Sequence, residues 1–478
     1  MVDPLWRLGD TAAAMGAHLG GCDPDDVIGG VSIDSRSLSP GDLFFAIRGE
    51  RADGHDYVAQ ALANGAAAAV VSRPMPHQSR CLEVADTLEA LNALGIAARA
   101  RADARIVGVT GSVGKTGTKE MLRLMFSAQA PTHASEKSYN NLWGVPLSLA
   151  RMPADTRFGV FEMGMNHAGE ITPLTRMVRP HIAIITTVGP VHIEFFDSVA
   201  EIADAKAEIF EGLEPGGIAV LPADNEHFDR LAAHAARRGV AVVPFGAGAG
   251  SQARLVSYGE ADEGSAIEAD ILGVRVAFTL AAAGRHLAMN AVAALAAVHL
   301  AGADVNKAAA ALCAFHAPEG RGRRIALACS DGGEVLLIDE SYNANPSSMR
   351  AALDVLAGMK TAQNSRKIAV LGDMLELGHG SMQYHAELAD VIDFAAVDLV
   401  FCAGPHMRAL FDRVPEAQRG GHARSAEELT AQVCDAIRAG DVVMVKGSLG
   451  SRMGRIVEAL KTKLDTRQAG DGLGRSAA

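Results

Sequence analysis

The stretch GVTGSVGKTGTKE, Gly108–Glu120, decides how this chain is read. It continues an apolar run, RIV at 105–107, and passes directly into TKEMLRLMFSA, which has helical spacing. A glycine-rich turn set between a strand and a helix is the context that makes a phosphate-gripping loop credible. Glycines at 111 and 114 let the backbone fold tightly, so that main-chain N–H groups point at phosphate oxygens, and the helix N-terminus adds a favourable partial charge. Gly111, Ser112, Gly114, Lys115, Thr116 and Gly117 are therefore the expected ATP-binding residues. Lys115 would reach the β- and γ-phosphates, and Thr116 would ligate Mg²⁺. A glycine turn that binds nothing is the competing reading, and the agreement of motif with context argues against it. What the ATP is used for is not decided by this loop.

On the C-terminal side of the loop, the strand-like runs FGVFEMG, HIAIITTVG, GIAVLPAD and GVAVVPFG alternate with helices, the pattern of a parallel sheet covered on both faces. Residues 252–280 read as antiparallel strands and Met289–Leu300 as an Ala-rich helix. After the break PEGRGRR at 318–324 a second series, EVLLIDE, KIAVLGD, DLVFCAG and DVVMVKG, predicts an open doubly wound sheet whose ligands sit outside the carboxyl ends of the strands. On the N-terminal side, helices near Pro4–Leu19 and Tyr57–Asn64 flank strand-like runs, and Thr87–Arg101 is a helical connector. The expected class is α/β with three domains. A small N-terminal α/β domain spans 1–84, a central P-loop parallel-sheet ATPase domain 85–316, and a C-terminal Rossmann-like doubly wound domain 317–464. The Gly-, Ser- and charge-rich segment 465–478 is expected to be a disordered tail.

Composition narrows the partners. The formal charge is 44 − 56 = −12, which argues against a nucleic-acid backbone but leaves room for local basic loops that bind anionic substrates. Cys22, Cys81, Cys313, Cys329, Cys402 and Cys434 are scattered with no CxxC pair, as in a protein of a reducing compartment. Asp3, Arg7 and Asp10 interrupt the N-terminus, and no uncharged stretch reaches the ~20 residues of a membrane span. A cytoplasmic protein without a membrane span is expected.

Further candidates stand at strand ends. Glu162 ends FGVFEMG and His192 follows IITTVGP, so both would project from the same sheet edge as the P-loop. Glu162 suits a hard cation; a lone histidine at a strand end is more often a satisfied structural residue. Lys206 lies in SVAEIADAKAEIF, where spacing alone favours a solvated helix lysine. Asn290 in GRHLAMNAVAA reads as a helix cap or a purine contact. DESYNANPSSM, Asp339–Met349, gathers polar groups at a strand end; a capped turn, with Ser347 or Ser348 as the cap, competes there with ligand binding. KGSLGSRM offers Lys446 and Arg452 to an anionic group.

Taken in order, GSVGKTGTKE, NNLWGVPLSL, FEMGMNHAGEI, TTVGPVHIEFF, EIADAKAEI, SYNANPSSM, VLGDMLELG and KGS resemble the Mur ligase family over nearly the whole chain. SYNANP with GDMLELG is selective within that family for the members that use D-alanyl-D-alanine, and no DNPR-type segment is present. The resemblance implies that ATP phosphorylates the terminal carboxylate of a UDP-N-acetylmuramoyl-tripeptide and that the amine of D-alanyl-D-alanine displaces phosphate, a step in making peptidoglycan precursors. It further implies two Mg²⁺ sites. Lys115, Lys206 and His192 carry catalytic roles; Thr116, Glu162, His192 and a carbamylated Lys206 serve the metals. Asn290, Arg321, Asn343 and Asn345 contact the nucleotide. By the same resemblance Ser35 and Arg36, with Arg48 and His55 as weaker candidates, would bind the uridine nucleotide, and Lys446 and Arg452 would face the acceptor. Leu287 departs from the family, where asparagine is common, and leaves the contact there to Asn290. A monomer is expected. Another ligase of the superfamily, such as a folate polyglutamylating enzyme, and a P-loop ATPase or regulator are the alternatives.

Overall fold

Ile182–Ile185 and Ile218–Pro222 carry no hydrogen-bonding side chain, and a strand can be built that way only if water reaches neither face. In the computed structural model of the protein both are interior strands of a nine-stranded sheet. The structure describes residues 4–49, 52–76, 79–136, 138–261, 264–329, 332–359 and 365–464; the tail expected at 465–478 lies outside them. Across that sheet the order is Val274–Leu280, Gly264–Ile271, Ala253–Ala261, Ala241–Gly246, Ile218–Pro222, Ile182–Ile185, Arg105–Thr110, Phe158–Glu162 and Thr132–Ala134. Pairing is parallel from Thr132–Ala134 through Ala253–Ala261 and antiparallel over the last two strands, as the change of pattern at 252–280 predicts. Apolar cores fill both faces, one around Met121, Phe126 and the helix Arg285–Leu300, the other around Phe161, Ile202 and Phe210.

Two smaller sheets flank this one. Near the N-terminus four parallel strands, Gly30–Ser32, Asp42–Phe45, Ala68–Val71 and Cys81–Glu83, lie in sequence order. The first helix covers only Leu8–Met15, because Trp6–Arg7 is drawn into a ribbon with Val27–Ile28. The connector Thr87–Arg101 begins where Asp86 accepts the N–H groups of Leu88 and Glu89 at 2.8 and 2.9 Å, a cap worth about 1 kcal/mol.

The C-terminal sheet has the order Arg323–Ala328, Glu334–Glu340, Val442–Lys446, Lys367–Gly372, Leu399–Ala403 and Arg419–Ala423. Its four expected strands are present, and two edge strands join them. The first starts inside the presumed break 318–324 and runs antiparallel to its neighbour. The helical stretch MQYHAELADVIDF is two helices, Ser381–Ala386 and Leu388–Phe394.

Candidate active site

The strand Arg105–Thr110 lies between Phe158–Glu162 and Ile182–Ile185, where the chain order of the large sheet switches sides. A crevice opens at such a point beyond the strands' carboxyl ends. There the chain turns through Gly111 (φ 147°) and Gly114 (φ 89°) into the helix Lys115–Ser127. A side chain at 111 would collide with Thr186, and one at 114 would meet Asn290 Nδ2 at 2.6 Å. Among the described residues the N–H groups of Val113, Gly114, Lys115, Thr116 and Gly117 donate to no backbone carbonyl, so the loop and first helical turn present a row of free donors. Ser112 differs from its neighbours. Its amide donates to the Thr187 carbonyl at 2.9 Å and its hydroxyl bridges to Gly189 at 3.0 Å, so it anchors the loop.

The charged groups around this turn are held in an uneven way. Lys115 Nζ donates to the Gly111 carbonyl at 2.6 Å; burial lowers its pKa, Glu162 opposes that and Arg321 adds to it. Glu162 is 1% exposed; its Oε1 accepts from Asn140 Nδ2 at 2.7 Å, whereas its Oε2 is buried without a hydrogen-bond partner. Thr116 Oγ1 is likewise buried and unpartnered. An orphaned carboxylate oxygen and an orphaned hydroxyl beside a row of N–H donors fit a hard cation shared with a phosphate. Among the described residues no cluster of three His, Cys, Asp or Glu side chains could hold a metal by itself, so any cation here would take further oxygens from its ligand.

His192 lines the same cavity as Thr116 and Glu162, and its Nδ1 pairs with Glu376 of the C-terminal domain. Burial lowers its pKa against the pull of Glu376, with Lys115 and Lys206 reinforcing the shift. Lys206 sits on the helix Val199–Ala207, capped by Ser198. Contrary to the solvated lysine that spacing favours, it is 3% exposed, and among the described residues its ammonium makes no ion pair. Desolvation, and then the charge of Lys115, drive its pKa well below the ordinary lysine value. It does not line the cavity.

The cavity, about 760 Å³, is lined on its other side by the C-terminal domain. Arg321 reaches across to Ser138 Oγ at 3.2 Å and stacks over the Tyr342 ring at 4.2 Å. The carboxylates of Asp339 and Glu340 part company. Asp339 is buried and binds the Gly320 and Ser341 amides, whereas Glu340 lines the cavity and pairs with Lys446 Nζ at 3.0 Å. Lys446 also donates to the Asn343 carbonyl at 3.1 Å. Asn345, rather than Ser347 or Ser348, is the cap of the helix Pro346–Gly358; its side chain accepts from Ser348 N–H at 2.9 Å and the Ser348 hydroxyl returns the bond. Asn343 keeps its side-chain oxygen on the Ala344 amide at 2.8 Å. Asn290 stands in the cavity wall within the helix Arg285–Leu300, so it is not a cap.

Other expected residues fall outside this cavity. Arg452 is 65% exposed and faces Glu427 at 3.6 Å. Ser35 is buried, with its carbonyl bound by Asn64; Arg36 makes a two-point pair with Asp34; Arg48 is exposed beside Asp53. His55 is 4% exposed and held between Asp53 and Ser72, a structural position. The site also contains groups to which the sequence alone assigned no role: Asn140 and Trp143 of NNLWGVPLSL, Glu376 of VLGDMLELG, and Ser138 just before the first of these motifs. In SYNNLWG, Ser138 meets Arg321, Asn140 holds Glu162 and Trp143 packs 3.2 Å from where a Gly49 side chain would start, so one short segment touches all three domains. GDMLELG supplies Glu376.

The P-loop at a sheet's switch point, with a second α/β domain lining the cavity beyond it, defines a nucleotide-binding α/β class of protein, and comparison with known proteins narrows that class. Residues 109–298 match the Mur ligase middle domain, 320–449 the Mur ligase glutamate ligase domain, and 27–122 the Mur ligase family catalytic domain. A UDP-N-acetylmuramoyl-tripeptide–D-alanyl-D-alanine ligase of Rickettsia prowazekii is 32% identical over 90% of this chain and 94% of its own. Crystal structure I of MurF from Acinetobacter baumannii superposes with a TM-score of 0.82 at 29% identity, covering 96% of this chain and 99% of that one. MurF ligase from Thermotoga maritima in complex with ADP superposes with a TM-score of 0.77 at 26% identity, covering 92% and 98%. The chain belongs to the Mur ligase family.

Proposed function

We propose that this enzyme joins D-alanyl-D-alanine to the terminal carboxylate of a UDP-N-acetylmuramoyl-tripeptide, with ATP converted to ADP and phosphate. The observation that carries the reading is the set of amides at Val113–Gly117, free of backbone partners among the described residues, beside two orphaned oxygens, Thr116 Oγ1 and Glu162 Oε2, in a cavity that a second domain lines. Relatives named for this reaction match along nearly the entire chain.

The chemistry follows from what must be stabilised. A carboxylate oxygen is a poor leaving group. Transfer of the γ-phosphoryl group makes an acyl phosphate, the acceptor amine attacks its carbon, and phosphate departs. Both stages crowd negative charge, so cationic and N–H donors must offset it. The P-loop amides hold the nucleotide phosphates, and Lys115 exchanges its bond to the Gly111 carbonyl for a phosphate oxygen. Mg²⁺, when bound, would supply charge neutralisation, with Thr116, Glu162 and His192 of this chain as its protein ligands. Arg321 brings a further positive charge from the C-terminal domain. Lys446, already bound to Glu340, lines the side of the cavity where the acceptor would enter. Gly111, Gly114 and Gly117 serve by backbone alone.

Lys206 fits carbamylation on two counts: its amine is buried and, among the described residues, has no acidic partner, and its lowered pKa supplies the neutral nitrogen that must attack CO₂. The product, R–NH–COO⁻ with loss of a proton, would place an anion beside Lys115. The N-terminal domain, residues 1–84, takes the uridine nucleotide in this reading, with the Arg36 pair to Asp34 opening to accept phosphate. Among the described residues no helix is long and apolar enough to cross a membrane.

Phosphate release with paired substrates tests the whole. Release should need both the tripeptide nucleotide and D-alanyl-D-alanine. Equal release without an amine acceptor would mark a P-loop ATPase, and release with a folate and glutamate would mark a polyglutamylating ligase.

A further inference from the structure

We infer that Glu376 is a positioning residue: from the C-terminal domain it holds the His192 ring by Nδ1, leaving Nε2 as the nitrogen available to the cation, so that the metal site is complete only when that domain is seated. This rests on the proposed function, which supplies the cation. The pair spans 184 residues and joins two domains. It is not a chance meeting of surface charges. His192 (φ 59°) and Glu376 (φ 60°) both adopt the left-handed conformation that non-glycine residues seldom take, and such backbone persists where surroundings over-determine it. The two loops touch at further points. Glu194 N–H donates to the Glu376 carbonyl at 3.3 Å, Gly378 lies so close that a side chain there would start 3.3 Å from Glu194 Cα, and Ile193 packs onto the apolar core of the C-terminal domain. Among the described residues His192 Nε2 has no hydrogen-bond partner.

A metal-binding histidine commonly donates its second ring nitrogen to a carboxylate, which fixes the tautomer and the ring plane. Here that carboxylate comes from a different domain. The arrangement would couple domain seating to cation affinity, and so keep ATP from being engaged productively before the two halves of the site meet.

The test is Mn²⁺ binding followed by electron spin resonance in the presence of a non-hydrolysable ATP analogue, with metal-free nucleotide binding measured alongside. Glu376→Ala should weaken Mn²⁺ by about 10- to 100-fold, His192→Ala by a similar factor, and the double variant no further than either. Glu376→Gln, which keeps an oxygen acceptor for Nδ1–H, should recover most of the loss. The Glu376 side chain is 45% exposed, so each variant should melt near wild type. Mn²⁺ affinity within about twofold of wild type in Glu376→Ala, or additive losses in the double variant, would overturn the inference while normal nucleotide binding left the proposed function standing. Loss of metal-free nucleotide binding in the wild-type protein would instead defeat the proposed function itself.

Discussion

Two polar strand ends face each other across the cavity, and they are finished in opposite ways. At the end of Arg105–Thr110 five amides donate to no backbone carbonyl among the described residues, and Thr116 Oγ1 and Glu162 Oε2 lack partners. At the end of Glu334–Glu340 nearly every polar group is already bound: Asp339 to amides, Asn345 to its helix, Lys446 to Glu340 and the Asn343 carbonyl. Density of polar residues is similar in the two. What separates them is how much hydrogen-bonding capacity is left over, and leftover capacity in a buried place is a cost that only a ligand removes. The first end is therefore the gripping surface. The second is chiefly a framework that carries a few reaching groups, Arg321 and Glu340 among them.

The contrast can be attacked from the strong side first. Glu162→Ala removes a buried carboxylate with one unpartnered oxygen; turnover should fall at least about 100-fold while the melting temperature holds or rises. A clear loss of stability would mean that Glu162 is framework after all. Lys206→Met should also abolish most activity, without rescue, whereas Lys206→Ala should recover in part with short-chain carboxylic acids. Because its folded pKa lies below the ordinary value, the unfolded chain binds a proton that the folded one lacks between that lowered pKa and about 10.4. In CO₂-free buffer, where the amine is unmodified, stability should rise with pH through that window in the wild type, and the slope should flatten in Lys206→Met. An unchanged slope in pH-dependent denaturation would contradict the burial assigned to the amine.

The framework side gives smaller effects. Asn345→Ala should cost about 1 kcal/mol of stability by deleting the cap, with the KM for ATP changed little. A raised KM at unchanged stability would move Asn345 to the gripping set. Arg452→Ala should leave steady-state constants within about twofold, since its exposed pair with Glu427 contributes little; a large rise in the KM for D-alanyl-D-alanine would restore it to the acceptor site.

The same contrast explains what the sequence made legible. The P-loop is contiguous, so strand, glycines, lysine and helix all stand within thirteen residues, Gly108–Glu120. The interior strands were readable for a related reason: burial on both faces forces unbroken apolar runs. Arg323–Ala328 and Arg419–Ala423 escaped because an edge strand pairs through its main chain and tolerates Arg and Gly. Lys206 could not be read locally, since helical spacing is the same whether a neighbouring loop covers the side chain or water does. Only the family resemblance singled it out. Glu376 was hidden for a stronger reason: its partner lies in another domain, and no local pattern encodes a contact made by docking.

The central claim is that the amides of Val113–Gly117, with Lys115, grip the phosphates of a nucleotide. Calorimetric titration of Mg·ATP into wild type and Lys115→Ala, each shown to be folded by its melting transition, tests this most directly. Saturable heat and a raised melting temperature in the wild type, both sharply reduced in the variant, are the predicted result. Absence of heat and of any thermal shift in folded wild-type protein would contradict it.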